Sequence, residues 1–314
     1  MSKLGSSKNM HFLSRNCPSC GSSSNQATPA MHSTPRAEEL SFDELSRYWR
    51  GFRKKNVFFS YFRCSSCNLL YCPVYFTSTQ LQELYSFMGD NTAGEQTNVL
   101  SMTHASYLRS LSKSVDIKGK WLELGGDIGL LTKQLLTLPG VDSVDVLEPN
   151  LSVHAQLTEI LDSRGKVAAS WPGLIDEREF EGVIAIHVLD HLLDLRSELE
   201  VVSDKIKNGG SVFFVTHDES STLRKILKSK WPPFCLQHPQ LFSPESIANA
   251  LELSGFQRIH VSKTYNYFSL RHIVEVATSV IGAGKFFTRL CPNISLKLKL
   301  GNVASYAQKV ELAK

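Results

Sequence analysis

Lys120-Trp-Leu-Glu-Leu-Gly-Gly-Asp-Ile-Gly129-Leu-Leu131 is the stretch on which the fold turns. Its first half is short and apolar, as a buried strand is. Glycines at 125, 126 and 129 let the backbone bend sharply and approach a ligand closely. Helical spacing follows, so the oriented N–H groups of a helix start face that ligand. Around this turn the texture is uniform from Gly119 onward, with short apolar runs alternating with amphipathic helical patterns. Strands are expected at 119–124, 143–147, 165–169, 181–186, 210–216 and 256–263, with helices at 128–138, 151–163, 194–206, 219–229 and 243–254. That alternation predicts an α/β fold, a Rossmann-like parallel sheet with helices on both faces. Ser243-Pro-Glu245 opens the last helix with an N-cap and a first-turn proline, and Gly255 closes it.

A glycine turn alone is the mark of any nucleotide-like cofactor. Two carboxylates narrow it. Glu123 stands at the strand end, where a carboxylate holds an ammonium group. Glu148 ends the next strand, in Val146-Leu-Glu-Pro-Asn150, where a carboxylate accepts both ribose hydroxyls. A pyrophosphate would be repelled at Glu123. S-adenosylmethionine carries no phosphate and has an ammonium on its amino acid end. The segment resembles motif I of class I S-adenosylmethionine-dependent methyltransferases, (D/E)xGxGxG, with Asp127 in place of the middle glycine. Phe180-Glu-Gly-Val-Ile-Ala-Ile-His187-Val-Leu-Asp190-His191 is similar to the fourth-strand motif of that family, HVLEH. Ile206-Lys-Asn-Gly-Gly210-Ser-Val212 is similar to its fifth-strand entry, LKPGG. The resemblance covers residues 119 to 263. It implies cofactor contacts from Glu123, Gly125, Gly126, Asp127, Gly129 and Glu148, with His187 and Asp190 walling the pocket. Trp171, after the third strand, is placed to pack on adenine.

The chain has 314 residues, 42% of them apolar, and a net charge of +4. That is enough for one large domain with an appendage, and too mild a charge to argue for nucleic acid. Basic residues cluster at Arg50, Arg53, Lys54 and Lys55, and at Arg224, Lys225, Lys228 and Lys230, which read as solvated faces. Neither an apolar leader nor an 18-residue apolar run is evident, so a cytoplasmic protein without a membrane span is expected. The seven cysteines include two matched pairs, Cys17-Pro-Ser-Cys20 and Cys64-Ser-Ser-Cys67. Two such knuckles supply the four thiolates of a closed, structural zinc site, which leaves no open position for catalysis. Tyr61, Phe62 and Leu69 to Tyr71 read as strands of this small β-rich zinc ribbon, and 21–36 as a loop. The expected organisation is therefore a flexible 1–16, a zinc ribbon at 17–76, a helical connector at 77–118, the cofactor-binding domain at 119–265 and an extension at 266–314.

A four-cysteine ribbon ahead of such a domain also resembles bacterial methyltransferases that act on nucleotide-linked sugars. In that group a YHEH-like stretch carries a histidine base. Here the matching run is Cys235-Leu-Gln-His238-Pro-Gln-Leu-Phe-Ser243, with His238 on the second histidine. Methyl transfer to a hydroxyl, amine or carbon acid needs proximity and a base, and histidine suits that near neutral pH. His238 ranks first, then His191 and His217; His272 is a further histidine to weigh. The expected partner is a small-molecule substrate, a sugar or nucleotide-linked sugar of polysaccharide or natural-product biosynthesis. Two other readings compete: an RNA methyltransferase gripping nucleic acid with the ribbon, and a non-catalytic scaffold that keeps the fold. Metal analysis of the purified chain should find about one zinc per molecule, and chelation should lower the thermal midpoint. A melt unmoved by chelator removes the zinc reading.

Overall fold

The computed structural model describes residues 12–49, 56–86, 97–174, 180–281, 292 and 294–310. The basic run at Arg50 to Lys55, Cys291 and residues 1–11 of the expected flexible N-terminus lie outside these. Seven strands form the central sheet: β1 (Gly119–Leu124), β2 (Val141–Leu147), β3 (Val167–Ala168), β4 (Phe180–Ile186), β5 (Ile206–His217), β6 (Phe256–Lys263) and β7 (Asn302–Lys309). Their order across the sheet is β3-β2-β1-β4-β5-β7-β6. All neighbouring pairs are parallel except those made by β7, which runs antiparallel to both β5 and β6. The strand order reverses between β1 and β4, and the crevice outside the carboxyl ends of strands at such a switch is where open α/β sheets bind ligands.

Alternation along the central strands sorts the core into two layers. Leu122, Val183, Ala185, Val212 and Phe214 face α4 (Leu195–Lys205) and α6 (Pro244–Leu253). Trp121, Ile184, Phe213 and Val215 face α1 (Thr97–Leu111), α2 (Leu130–Leu136) and α3 (His154–Leu161). Between α4 and α6 lies the short helix α5 (Thr222–Leu227), and α7 (Leu270–Ile281) follows β6. Strands that bury both faces read as near-continuous apolar runs, which is why they were visible in the sequence.

Four expectations need correcting. The domain does not end at 265, because β7 is drawn from the supposed extension and sits between two other strands. Its residues are small (Val303, Ala304, Ser305, Ala307), and all are buried. Small side chains fit a crowded central position but make a weak hydrophobic signal. Second, the ribbon is not closed at residue 76. Its four-stranded sheet joins Thr28–Met31, Tyr61–Arg63, Leu70–Tyr71 and, from far along the chain, Gln240–Leu241. Trp231, Phe234 and Leu236 pack into its aromatic core. Third, the expected loop at 21–36 contains an edge strand; Pro29 is tolerated there because an edge leaves one side of the ladder unpaired. Fourth, the end of the supposedly flexible N-terminus is anchored. Leu13–Ser14 pairs with Val74–Tyr75.

The anchor is Arg15. Its guanidinium donates to the carbonyls of Cys72 (2.8 Å), Leu193 (2.7 Å) and Pro239 (2.6 Å), and to Gln240 Oε1 (3.1 Å). One side chain thus ties the N-terminal module to two loops of the large domain. Replacing it with methionine removes these hydrogen bonds, although the Pro239 carbonyl keeps the Cys72 N–H (2.9 Å), so Arg15→Met should cost about 2 to 3 kcal/mol. A urea midpoint that does not shift relative to wild type contradicts this.

Candidate active site

The glycine turn forms as the sequence requires. Gly129 ends it with φ +77°, a backbone that strains any other residue, and a Cβ there would also lie 2.5 Å from Ile160 Cδ1. Asp127 takes φ +45°, the left-handed region that aspartate tolerates better than most residues. The departure from the family pattern therefore keeps the backbone that the glycine would have given. Glu148 locks it: Oε2 accepts from the Asp127 N–H (2.9 Å) and Oε1 from the Asn150 N–H (2.7 Å). Glu123 lies beneath the turn, almost wholly buried, and accepts a hydrogen bond from the Thr132 hydroxyl at 2.6 Å. Burial, with Glu148 and Asp127 nearby, pushes its carboxyl up to about 8 against the pull of Thr132.

Both carboxylates suit S-adenosylmethionine. An ammonium beside Glu123 would offset the cost of burying its charge, and Glu148 keeps lone pairs for ribose hydroxyls after accepting two N–H bonds. Trp171 is half-buried, and its indole N–H donates to Glu198 on α4 at 2.7 Å, which fixes the ring at the end of β3.

Beyond the carboxyl ends of β4 and β5 the structure gathers what the sequence had only ranked. The rings of His187 and His217 are 4.3 Å apart, those of His217 and His238 5.0 Å, and those of His191 and His238 4.6 Å. Asp190, fully buried, lies among them in the tight turn Leu189–His191 that follows β4. Its Oδ2 is 3.0 Å from His217 Nδ1 and 3.8 Å from His187 Nδ1. The donor atoms of these three residues are all within 4.8 Å of one another, close enough to share a proton or a cation. Burial opposes ionisation of Asp190, yet His217 and His187 hold its carboxyl well below the usual carboxylate range.

The three rings titrate differently. Burial, aided by His187 and resisted by Asp190, pulls His217 down to about 4. Burial also takes His191 well below the ordinary imidazole value. His238 goes the other way: burial would lower it, but Cys235, Asp190 and the Pro233 carbonyl raise it to about 8. Its Nδ1 is 2.7 Å from that carbonyl and 3.5 Å from Cys235 Sγ. At neutral pH, His217 is the unprotonated ring held by a carboxylate, whereas His238 is largely charged. His272 lies on α7, outside the four-ring group.

Several neighbours carried no sequence signal. Asn302 Nδ2, at the start of β7, is 3.2 Å from His187 Nε2. The Tyr85 hydroxyl is 3.4 Å from His191 Nδ1, and Trp231 meets His217 edge-on at 6.3 Å. His104 on α1 is held down at about 4 by burial and by His187. All four come from segments whose approach only the tertiary fold sets.

The four ribbon thiols meet as expected. Sγ atoms of Cys17 and Cys67, and of Cys20 and Cys64, are 3.5 Å apart, and all four lie within 4.8 Å of one another. A tetrahedral ion at about 2.3 Å from each sulfur needs edges of about 3.8 Å, so the set fits zinc. Cys72 is buried elsewhere, against the Phe59 carbonyl.

Residues 94–261, more than half of the chain, match the family model described as a methyltransferase domain. The chain belongs to that family. It is 27% identical over 165 residues to the human mitochondrial ubiquinone biosynthesis O-methyltransferase, a match spanning 48% of this chain and 45% of that protein. The chain therefore covers less than half the length of this relative. Similar solved structures include the N-methyltransferase NodS of Bradyrhizobium japonicum with S-adenosyl-L-homocysteine (13% identity, TM-score 0.45, 74% of this chain and 98% of that one). Phosphoethanolamine N-methyltransferase 2 of Haemonchus contortus, with S-adenosyl-L-methionine, is another (17%, TM-score 0.44, 66% and 53%). Among the described residues no helix is long and apolar enough to cross a membrane.

A cofactor ammonium held by Glu123 would couple binding to pH. It is protonated in the free protein below about 8, and an ammonium requires the carboxylate. Binding near pH 7 should therefore release a proton, with affinity rising toward pH 8 by up to about tenfold per unit. Calorimetry in buffers of different ionisation enthalpy reads the proton directly; no release from wild type, or the same release from Glu123→Gln, contradicts the assignment.

Proposed function

We propose that this methyltransferase-family protein moves a methyl group from S-adenosylmethionine to a hydroxyl of a small, hydroxyl-rich acceptor, a sugar or nucleotide-linked sugar. The observation that carries the reading is the 3.0 Å contact between His217 Nδ1 and the buried Asp190 carboxylate. With Nδ1 donating to Asp190, the second ring nitrogen of His217 is left to accept a proton. The cofactor supplies a methyl group already activated on a sulfonium. Glu123 would hold its ammonium and Glu148 its ribose hydroxyls, and the turn at Gly125–Gly129 would let the backbone come close. His217 would take the hydroxyl proton as the acceptor oxygen bonds to the methyl carbon and the carbon–sulfur bond breaks, its electron pair staying on sulfur to leave S-adenosylhomocysteine, and Asp190 would stabilise the imidazolium that results. His238, charged at neutral pH, favours electron-rich acceptor oxygens at the same mouth. The ranking from sequence, with His238 first, is thus replaced by His217 as base and His238 as a cationic neighbour.

Oxygen as the acceptor atom agrees with the name of the human relative, an O-methyltransferase. The left-handed backbone of Asp127 speaks against a scaffold that has lost its cofactor turn. Structural zinc at Cys17, Cys20, Cys64 and Cys67 completes the assignment. The N-terminal module and the methyltransferase domain then act as one unit, since residues 231–241 pack into the ribbon's core while Phe242, next in the chain, packs into that of the central sheet.

His217→Gln should lower kcat by about 10²- to 10⁴-fold while leaving the cofactor Kd unchanged. The assay needs a methylated acceptor, found by screening sugar nucleotides with radiolabelled S-adenosylmethionine. If His238→Gln abolishes turnover and His217→Gln does not, the base is misassigned.

A further inference from the structure

His217 and the Asp190 carboxylate suffice for a base and its orienting partner, yet a third residue joins them. His187 Nδ1 lies 3.8 Å from Asp190 Oδ2, and His217 Nδ1 lies 3.0 Å from the same oxygen. The ligating atoms of all three residues fall within 4.8 Å of one another. His187 Nδ1 is buried there with no hydrogen-bond partner among the described residues. Two imidazole nitrogens and one carboxylate oxygen therefore converge.

That is the ligand set of a zinc site that keeps a position open. A zinc ion about 2.1 Å from each ligand, at tetrahedral angles, needs ligand edges of about 3.4 Å. The separations of 3.0 and 3.8 Å bracket that value. Asp190 has no exposed surface, and a buried carboxylate calls for a cation. The way in lies past the two rings, whose side chains are 28% and 21% exposed. The surroundings hold the ligands in place. Asp190 Oδ2 also accepts from the His217 N–H at 3.3 Å, and Gln240 donates to the Leu189 and Leu192 carbonyls on either side of the turn. A metal-bound imidazole gives its other N–H to an outer acceptor. Asn302 stands 3.2 Å from His187 Nε2, and its amide, turned over, offers an oxygen there. Magnesium and calcium prefer all-oxygen sites, whereas two imidazoles select zinc and its neighbours in the first transition row.

We propose that His187, Asp190 and His217 form a second metal site, for a divalent transition ion such as zinc, and that this ion and the base-competent state of His217 exclude each other. Coordination takes the lone pair of Nδ1. The one proton of the neutral ring then sits on Nε2, the nitrogen that would otherwise accept a proton from the substrate. The ion thus switches the base off. That consequence rests on His217 being the base; the site itself does not. Soft thiolates hold zinc more tightly than this set, so the first equivalent goes to the ribbon and the second site fills from free metal.

The test uses the full chain with its ribbon zinc in place, titrated with cobalt(II) by calorimetry and followed by visible absorption. Wild type should take up one further equivalent, with d–d absorption and no thiolate-to-cobalt charge-transfer band, and added zinc should displace it. His187→Ala changes a partly exposed ring, and Asp190→Asn keeps the shape of the side chain. Each should weaken cobalt binding at least about tenfold, since even an outer-shell partner of a metal is worth that much. Magnesium should not bind. If a thermal melt shows that a variant has not folded, nitrogen-15 resonances of wild-type His217 decide: zinc should move the ring proton from Nδ1 to Nε2. No further equivalent at millimolar cobalt, a thiolate band, or unchanged affinity in folded His187→Ala overturns the site. A site that fills as described and leaves methyl transfer untouched would instead overturn His217 as the base, so the two are told apart.

Discussion

A buried negative charge organises the histidine cluster beyond the carboxyl ends of β4 and β5. Asp190 has no exposed surface, and an isolated carboxylate there would be driven to neutralise. It stays ionised because His217 and His187 face it within 3.0 and 3.8 Å. Those two rings come from the ends of neighbouring strands, which a parallel sheet places side by side. The backbone at His187 takes φ +54°, a conformation that a non-glycine residue keeps only where its surroundings enforce it. Two ring positions and one turn are therefore fixed together, with Nδ1 of His217 toward the carboxylate.

The N-terminal module bears on the same charge from a distance. Gln240 is fully buried, and its side-chain amide donates to the carbonyls of Leu189 and Leu192, on either side of Asp190 and His191. Arg15 holds Gln240 in turn. Tyr61 donates to the His238 carbonyl at 2.6 Å, and Tyr75 to that of Leu236 at 2.5 Å. The ribbon strands thus grip the segment that carries His238. The four thiols come together between the two ends of the ribbon chain and so set the module on which this grip depends. Such outer supports matter because a base displaced by an ångström loses much of its effect.

How much of this was legible in the sequence follows from the range of each interaction. The strand–turn–helix at Gly119 to Leu131 and the spacing of the cysteine pairs are local, and so is the cap at Ser243; all appear where the residues put them. His187, His191 and His217 were visible as candidates because each follows a strand end, and His238 because its surroundings resemble a YHEH-like stretch. Which ring the buried carboxylate touches was not, since that depends on how the strand ends meet in the fold. β7 was hidden because Val303-Ala-Ser-Tyr-Ala307 buries small and polar side chains between two strands, where tight packing rather than bulk supplies the stability. The edge strand at Thr28 and the fourth ribbon strand at Gln240 were hidden for another reason: each exists only through a partner distant in the chain. Asp127 resolves in the opposite sense. Its chemistry departs from the family pattern while its backbone does not.

The state of the His217 ring is the most direct reading of the whole arrangement. Nitrogen-15 resonances of the labelled imidazole, followed from pH 6 to 8, report both charge and tautomer. A base oriented by Asp190 should be neutral across that range, with its proton on Nδ1, and should lose that preference in Asp190→Asn. A ring doubly protonated at pH 7, or one carrying its proton on Nε2, would contradict the account.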